Sequence, residues 1–332
     1  LLEIVTSIAL TALLFFIPMY LMLRVADPYY FADANIFHVA ANPLFLQNLK
    51  TLESFSNPAG WFPPGVQWIH KTPVLFALYN IAFWGVGLFS FLFIAVGIFY
   101  FIKKHRHPEL VIVFSWVLIF FLYQSTQVAK TMRYFIFLYP FLAILAGFGF
   151  HYILQRYNTI IKAFFLGLTL LYPIAFFSIY VMPMSRVAAT EWIVRNIPIG
   201  NTVLSEHWDD ALPLSSHASG YNIQLLSVFD PDTPDKWNKM NTMLQSGDYL
   251  ILSSNRGWGS IPTVPERYPQ MTLFYKNLFA GKLQYKKVKE FTSYPSFEYF
   301  GIPFSLPDDI AEESFTVYDH PKVIIFKNTI KP

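Results

Sequence analysis

The chain has 332 residues, of which 54% are hydrophobic and 14% are charged, with a net charge of +3 and no cysteine. Soluble domains carry about 25% charged residues, so this composition indicates a membrane protein. The lack of cysteine excludes disulfides, thiolate metal sites and a thiol nucleophile, and the small net charge without a basic, aromatic-interleaved run argues against nucleic-acid binding.

The hydrophobic residues are concentrated before Pro183 and form five apolar segments. Crossing a bilayer takes about 20 apolar residues. The segments are Ile4–Leu23, a stretch within Val74–Ile102, about Leu110–Tyr123, about Tyr134–Ile153 and about Ala163–Met182. We therefore predict an α-helical polytopic membrane region over residues 1–184, with an extracytoplasmic loop at 25–73. Within that loop, Phe45–Phe55 has the spacing of a short amphipathic helix.

Basic residues predict how these segments are oriented. Lys103, Lys104 and Arg106 follow the second segment, and Arg156 and Lys162 lie between the fourth and the fifth. Short loops that carry Lys and Arg remain in the cytoplasm. The long loop, the turn at 128–133 and the whole chain after the fifth segment would then face outward. The prediction is a multi-pass protein of the plasma membrane with an extracytoplasmic C-terminal domain.

Residues 185–332 have the alternating helix and strand patterns of a compact soluble α/β domain. Helices are predicted at Ala188–Asn196, Pro234–Leu244 and Pro265–Ala280, and strands at Thr202–Ser205, Asn222–Val228, Tyr249–Ser253 and Tyr285–Phe291. Ser314–Tyr318 and Lys322–Lys327 are expected to pair like a hairpin, turned by Asp319-His320-Pro321. Gly257-Trp258-Gly259 is interpreted as a loop, because it lacks the third glycine and the helix start of a dinucleotide-binding motif.

Two cations stand between apolar runs in the stretch Val128–Pro140. Charge at such a place is costly unless something anionic or aqueous meets it. Lys130 and Arg133 are three residues apart and would share one face if the next helix began early. One hypothesis is that they hold the phosphate of a lipid-linked sugar. The other is that they mark a helix end and extend to the lipid headgroups.

Lys71 is a third cation at the predicted outer face, directly before the second segment. An ammonium group can meet a phosphate oxygen as a point charge, and it can equally anchor a helix at the headgroups. Several cations at one depth suit a lipid phosphate better than coincidence does. The segments contain no mid-span acidic residue, which argues against a proton- or ion-coupled transporter.

Carboxylates supply the remaining candidates. Asp27 and Asp33 lie soon after the first segment, where a carboxylate could act as a general base toward an acceptor hydroxyl, although Asp27-Pro28 is also a common turn starter. The run at 206–210, EHWDD, has residue types that could form a metal or acid/base site. Adjacent strand residues point to opposite faces, so a structural role is the other interpretation. We predict no metal ligands here, and whether a divalent cation assists is left open.

The pattern of the chain resembles a family. The runs RVADPYYFADANIFHVAANPLFLQNLKTL, FPPGVQWIHKTPVLF and KTMRYFIFLYPFLAILAGFG are similar to those of the Chlor_Arch_YYY-type multi-pass membrane proteins, and SEHWDDALPL and FTVYDHPKVIIFKN fit their C-terminal region. The resemblance extends to the GT-C superfamily of polytopic glycosyltransferases, which includes dolichyl-phosphate-mannose protein mannosyltransferases and lipid A aminoarabinose transferases.

The resemblance implies transfer of a sugar from a polyprenyl-phosphate donor to an acceptor hydroxyl outside the cytoplasm. Among the residues of this chain it implies Lys71, Arg133 and Tyr134 as donor-binding residues, and Lys130 is added on charge grounds. Where the family has Arg before Thr-Pro this chain has Lys71, which weakens a bidentate phosphate contact. The catalytic acid of such enzymes lies in an earlier loop, so we expect this chain to be the C-terminal part of a longer protein.

Two functions from different classes follow. The first is a polyprenyl-phosphate-dependent glycosyltransferase that works among membrane lipids, with sugar and acceptor (a glycan, lipid or protein) unassigned. The alternative is a non-catalytic membrane protein that displays its outer domain for binding a lipid or a partner. An upstream membrane segment followed by an outer-loop Asp would favour the enzyme.

Overall fold

The computed structural model describes residues 2–55, 57, 62–104 and 108–331. The chain forms two compact units, Leu1–Phe62 and Pro63–Pro332. The predicted division after residue 184 lies inside the second unit. Arg106, one of the residues that predicted the orientation, lies outside the described residues.

The described residues of the first unit form two α-helices and the loop between them, which contains a 3₁₀ turn at Pro28–Tyr30. Helix α1 covers Leu2–Ala26, which contains the first predicted segment, and α2 covers Pro43–Ser54. Helix α2 begins there because the Asn42 side chain accepts a hydrogen bond from the Leu44 N–H at 2.9 Å and proline suits the first helical position. The predicted amphipathic helix is thus confirmed.

The second unit begins with a 3₁₀ turn, Pro63–Trp68, and five apolar helices follow it in the described residues. They are α3 (Leu75–Asn80), α4 (Leu88–Lys104), α5 (Pro108–Thr126), α6 (Tyr139–Leu154) and α7 (Thr159–Val181). The second predicted segment is divided, because a π-helical turn at Ile81–Gly85 separates α3 from α4. The fourth begins as a 3₁₀ turn, Met132–Leu138, which leads into α6. Both irregular stretches lie at the end of the helices where the candidate cations lie.

Two of the described helices are long and apolar enough to cross a membrane, Met132–Leu154 and Thr159–Asn196. Only 22% and 6% of their most apolar windows are buried. The other apolar helices in the described residues are shorter, Leu10–Ala26, Leu75–Gly85, Leu88–Lys103 and Val111–Thr126. The structure therefore indicates membrane association, and five crossings stay a prediction.

Helices α4 and α6 approach each other at two glycines. A Cβ added at Gly97 would lie 2.0 Å from the Leu145 carbonyl oxygen, and one at Gly149 would lie 2.0 Å from the Phe93 carbonyl oxygen. Small residues at a helix interface allow backbones to come this close, which is a common way of packing helices in membranes.

The C-terminal part of the second unit is a five-stranded sheet covered by helices on both faces. The strands are β1 (Thr202–Glu206), β2 (Asn222–Leu226), β3 (Tyr249–Leu252), β4 (Tyr285–Phe291) and β5 (Val323–Asn328). The order is β2-β1-β3-β5-β4, with β1 parallel to β2 and β3, and β5 antiparallel to β3 and β4. The helices are α8 (Ser185–Asn196), α9 (Pro234–Ser246), α10 (Arg256–Ser260), α11 (Pro269–Phe279) and α12 (Glu313–Thr316).

Alternating strand residues face the two helical layers, as the period of a strand requires. Val203 and Ile251 pack with α8 on one face, whereas Leu204 and Leu250 pack with α9 and α11 on the other. The predicted α/β class and the four strands from Thr202 to Phe291 are confirmed.

Two sequence interpretations of this part were wrong. Ser314–Tyr318 is not a strand, because β5 already pairs with β3 and β4 on its two sides and the preceding residues form the short helix α12. Gly257-Trp258-Gly259 belongs to the five-residue helix α10 rather than to a loop.

The chain leaves β1, forms β2 on one side, and then returns to form β3 on the other. The carboxyl ends of β1 and β3 are thus a switch point, the place where open α/β sheets commonly bind ligands. The run at 206–210 and Ser253–Arg256 lie at these carboxyl ends, which are called the sheet edge below.

Candidate functional site

The predicted cations Lys130 and Arg133 lie on the loop between α5 and α6, but they do not share a face. The Lys130 side chain is buried, with 5% of its surface exposed, whereas Arg133 is exposed with its guanidinium 5.7 Å from the Tyr134 ring centroid. The difference arises because Lys130 precedes the Met132–Leu138 turn instead of forming part of a helix with Arg133. Tyr134 is itself exposed.

The buried ammonium of Lys130 has little to compensate it. Among the described residues its hydrogen bond is to the Val128 carbonyl oxygen, at 3.3 Å, and no carboxylate lies within ion-pair distance. Burial lowers the pKa of Lys130. A buried cation without a counter-ion is unfavourable, so this position is suited to an anion that arrives from outside.

Lys71 lies at the same end of the helices. The Val74 N–H donates to the Ser125 carbonyl oxygen at 3.5 Å, which places the start of α3 beside the end of α5, the helix that leads to Lys130. The Lys71 ammonium is half-buried and lies 5.6 Å from the Phe76 ring centroid. The three candidate cations therefore share one end of the helices and differ in exposure.

Glu312 holds the loop at 127–133, which carries Lys130 and Arg133 and is called the cation loop below, against the α/β part. Its buried carboxylate accepts a hydrogen bond from the Met132 N–H at 2.7 Å and another from the Ser314 hydroxyl, which is 2.8 Å from the Thr131 hydroxyl. Its own N–H donates to the Asn80 side chain at 2.9 Å. Burial raises the pKa of the Glu312 carboxyl to about 7. One residue, through its carboxylate and its N–H, thus joins α3, the cation loop and α12.

Glu313 makes the equivalent connection to the segment before α3 and to the sheet edge. Its N–H donates to Gln67 Oε1 at 3.1 Å, and Gln67 Nε2 donates to its carboxylate. Arg256 Nε donates to the other carboxylate oxygen at 2.7 Å. Arg256 Nη1 also donates to the Trp208 carbonyl oxygen at 2.6 Å. Trp208 has φ +79°, a conformation that costs about 1 kcal/mol or more and concentrates at functional sites.

The predicted cluster at 206–210 is divided among different partners. Asp209 is buried and pairs with Arg186 Nη2 at 2.5 Å and with the Ser254 hydroxyl. Asp210 is exposed and lies 2.8 Å from Arg186 Nη1. Glu206 points elsewhere and accepts a hydrogen bond from the Tyr275 hydroxyl. The structural interpretation of this run therefore describes Asp209 and Asp210 well.

Glu206 is different, because one of its oxygens has no hydrogen bond among the described residues. The buried Ser205 and Ser253 hydroxyls and the Asn255 side-chain oxygen, at the same sheet edge, share this property. Burial raises the pKa of Glu206 to about 8. Groups left unsatisfied in this way commonly bind water or ligand.

His320, expected in a turn, is fully buried between two carboxylates. Its Nε2 is 2.8 Å from Asp308 Oδ2 and its Nδ1 is 2.6 Å from Asp319 Oδ1. The Tyr180 hydroxyl of α7 donates to the other Asp319 oxygen at 2.8 Å. Burial alone would lower the pKa of His320, but these hydrogen bonds outweigh burial and raise the pKa to about 9. The charged imidazole helps to attach α7 to the C-terminal part.

Both candidate acids of the first unit are held in local turns. The Tyr29 N–H donates to Asp27 at 3.3 Å, as expected for a turn starter. Asp33 is bonded to the His38 imidazole and accepts a hydrogen bond from the Asn35 N–H at 2.8 Å. The His38 hydrogen bond lowers the pKa of Asp33, which makes this carboxylate a weaker base.

Sequence reasoning missed most of the polar residues that join the two parts. They are Gln67, Asn80, Glu312 and Glu313, and Arg256 pairs with Glu313 within the α/β part. The sequence signal that could have found them is the adjacent pair Glu312 and Glu313, because glutamates that are buried in a folded chain require polar partners. No group of three or more metal-ligating side chains is present in the described part of the chain.

No family model, curated protein or solved structure matches the chain.

Proposed function

We propose that this chain is part of an integral membrane glycosyltransferase that moves a sugar from a polyprenyl phosphate to an acceptor hydroxyl. The observation that carries the proposal is Lys130, a buried lysine whose ammonium is bonded to a single backbone carbonyl among the described residues. A lipid-linked phosphate would provide the anion that this position lacks.

The surroundings of Lys130 support an entry point for a lipid phosphate. Arg133 and Tyr134 are exposed on the same loop, and Lys71 lies at the same end of the helices. Glu312 fixes the loop through the Met132 N–H, so the position of Lys130 does not depend on the ligand. A group held in place before the reaction can stabilise charge that develops during it.

The proposed step is a displacement at the anomeric carbon. The acceptor oxygen forms a bond to that carbon, the bond from carbon to phosphate oxygen breaks, and the phosphate leaves with the electron pair. A carboxylate base takes the acceptor proton. Lys130 and Arg133 would stabilise the negative charge of the departing phosphate. In this proposal the helices cross the plasma membrane several times and the α/β part is extracytoplasmic.

The second candidate is a non-catalytic protein that binds a lipid or a partner through its α/β part. The state of Asp33 favours it, because a carboxylate bonded to His38 and an N–H is a poor general base. The two candidates differ on sugar transfer, which the binding protein does not catalyse.

The decisive experiments measure first binding and then transfer. The chain in lipid nanodiscs is titrated with a long-chain polyprenyl phosphate, and with the corresponding polyprenol as the ligand that lacks only the phosphate. We expect the phosphate to bind and Lys130→Met to weaken binding roughly tenfold or more, the loss expected for a desolvated charge contact. Equal binding of phosphate and polyprenol would contradict the proposal.

Arg133→Ala has a matched control in Arg156→Ala. Both arginines are exposed, and they lie beyond opposite ends of α6. Loss of binding in Arg133→Ala alone supports the assigned end of the helices, whereas equal losses would indicate general attraction to anionic lipid. Transfer of a radiolabelled sugar from a polyprenyl-phosphate donor by the full-length protein then separates the enzyme from the binding protein.

A further inference from the structure

A groove runs between α9 and α11 on the face of the sheet opposite α8, and it contains none of the residues of the proposed phosphate site. Its volume is about 490 Å³, within the range of small-molecule sites. Gln284, directly before β4, and Tyr285, its first residue, also line the groove.

Five carboxamide side chains line this groove, and no charged side chain does so among the described residues. Asn241 and Gln245 are one turn apart on α9, and Gln270 and Asn277 are two turns apart on α11, so each helix presents its amides along one face. These four side chains have no hydrogen bond to another described residue. Gln284 is engaged, because its Nε2 donates to the Leu244 carbonyl oxygen at 2.6 Å.

Aromatic and aliphatic groups form the floor between the amides. Trp237 is half-buried and its ring lies 6.3 Å from that of Phe274. The Trp237 Nε1 donates to Asp232 at 3.1 Å, which fixes the orientation of the indole. Leu273, which is 58% exposed, lies beside them. The apolar floor is therefore preorganised while the rim offers free amides.

We propose that this groove binds a neutral carbohydrate. A carboxamide both donates and accepts hydrogen bonds, which matches the hydroxyl groups of a sugar, and an aromatic face can pack against its C–H groups. The lack of charged lining residues argues against a phosphate, a nucleotide or an acidic glycan. The inference does not depend on transferase activity.

The test uses the full chain in lipid nanodiscs, since detergents with sugar headgroups would compete. Maltotetraose, cellotetraose, chitotetraose and mannotetraose are titrated separately, and saturation-transfer NMR reports binding and the protons in contact. We expect at least one of them to bind with a Kd between roughly micromolar and millimolar. Absence of binding for all four at about 10 mM would overturn the proposal.

Surface amides provide variants that keep the fold. Asn241→Ala and Gln270→Ala each remove an exposed side chain, and each should weaken binding roughly fivefold, the effect of one lost hydrogen bond. The matched control is Asn238→Ala, because Asn238 is also exposed on α9 but does not line the groove. Binding that survives the Asn241/Gln270 double change without loss would overturn the site.

Two further measurements sharpen the assignment. Oligogalacturonate, an acidic oligosaccharide, should bind more weakly than the best neutral sugar, and stronger binding would contradict a neutral site. Lys130→Met should leave sugar binding in the groove unchanged, so that failure of the phosphate site and failure of the groove are told apart.

Discussion

The helical part of the second unit is richer in apolar residues than the α/β part, and the two parts use these residues in opposite ways. In the α/β part, Leu204, Ile251 and Ile325 are completely buried in the two layers beside the sheet. In the helical part, Ile112 is 74% exposed and Ile160 is 79% exposed. An apolar surface of this kind suits lipid. An apolar residue in the sequence therefore does not show whether its side chain will contact other protein groups or lipid.

The interactions that join the apolar helices to one another therefore differ from those that join strands to helices in the α/β part. Helices α4 and α6 meet through backbone contact at Gly97 and Gly149, where side chains would intrude. The α/β part relies on side-chain packing and on buried ion pairs at the sheet edge. Each mechanism can be broken separately.

The largest expected effect is at Gly149, in the helical part. Gly149→Ala places a Cβ against the Phe93 carbonyl oxygen, and because backbone cannot move aside, we expect a loss of about 3 kcal/mol or more in the free energy of unfolding. Gly147→Ala is the matched control on α6, since no atom lies within 4 Å of its added Cβ. Thermal unfolding in micelles, followed by circular dichroism, should separate the two variants clearly. Equal midpoints would show that α4 and α6 do not pack here.

The corresponding break in the α/β part is Arg256→Ala. It leaves the buried Glu313 carboxylate without its ion-pair partner and removes the Arg256 hydrogen bond to the Trp208 carbonyl oxygen, so we expect about 3 kcal/mol of destabilisation. Arg195→Ala removes the exposed i,i+4 pair with Glu191 and should cost less than about 0.5 kcal/mol. Chemical denaturation monitored by tryptophan fluorescence measures both. A similar small effect for the two arginines would mean that the sheet edge does not depend on this pair.

Glu312 connects the two parts and should make their attachment depend on pH. Its pKa is raised to about 7 by burial, so the folded state retains a proton that the unfolded state loses near pH 4.5. By linkage, the contribution of Glu312 to the free energy of unfolding falls as pH rises from about 4.5 to about 7, and this contribution is constant at higher pH. The loss should be on the order of 2 kcal/mol between about pH 5 and pH 7.

Glu312→Gln isolates this contribution. The variant should show a flatter dependence of its unfolding midpoint on pH between about 5 and 7 than the unchanged chain, because glutamine does not titrate there. His320 acts in the same direction at higher pH, since its raised pKa means that its contribution is lost between about 6.5 and 9. Parallel pH curves for the two proteins would exclude Glu312 as the titrating group.

Local patterns predicted the α/β part well, because each strand and helix there has its own apolar period and the long-range contacts agree with it. Helix α8 and strands β1 to β4 lie where the spacing placed them. The exceptions, α10 and α12, are short and depend on distant partners such as Gln67 and Arg256. Spacing along the chain contains no information about such contacts.

The candidate site was only partly predictable for the same reason. Charge next to apolar runs indicated Lys71, Lys130 and Arg133, and the structure places them at one end of the helices. Their different burial could not be foreseen, because it depends on the 3₁₀ turn that follows Lys130 and on Glu312, more than 170 residues away in sequence, which is 2.7 Å from the Met132 nitrogen.

The most specific prediction compares two buried lysines, one in each part, and its critical effect, that of Lys130→Met, is small. Lys236 on α9 is 3.0 Å from Asp232 and donates to the Asp230 carbonyl oxygen at 2.7 Å, whereas Lys130 has only the Val128 carbonyl among the described residues. Lys236→Met should destabilise the chain by about 3 kcal/mol because Asp232 loses its partner. Lys130→Met removes an uncompensated charge, so without polyprenyl phosphate it should stabilise the chain by about 1 kcal/mol. If the added lipid stabilises the unchanged chain but not Lys130→Met, then Lys130 is retained for the anion it binds. A destabilised Lys130→Met would instead assign Lys130 to the fold alone.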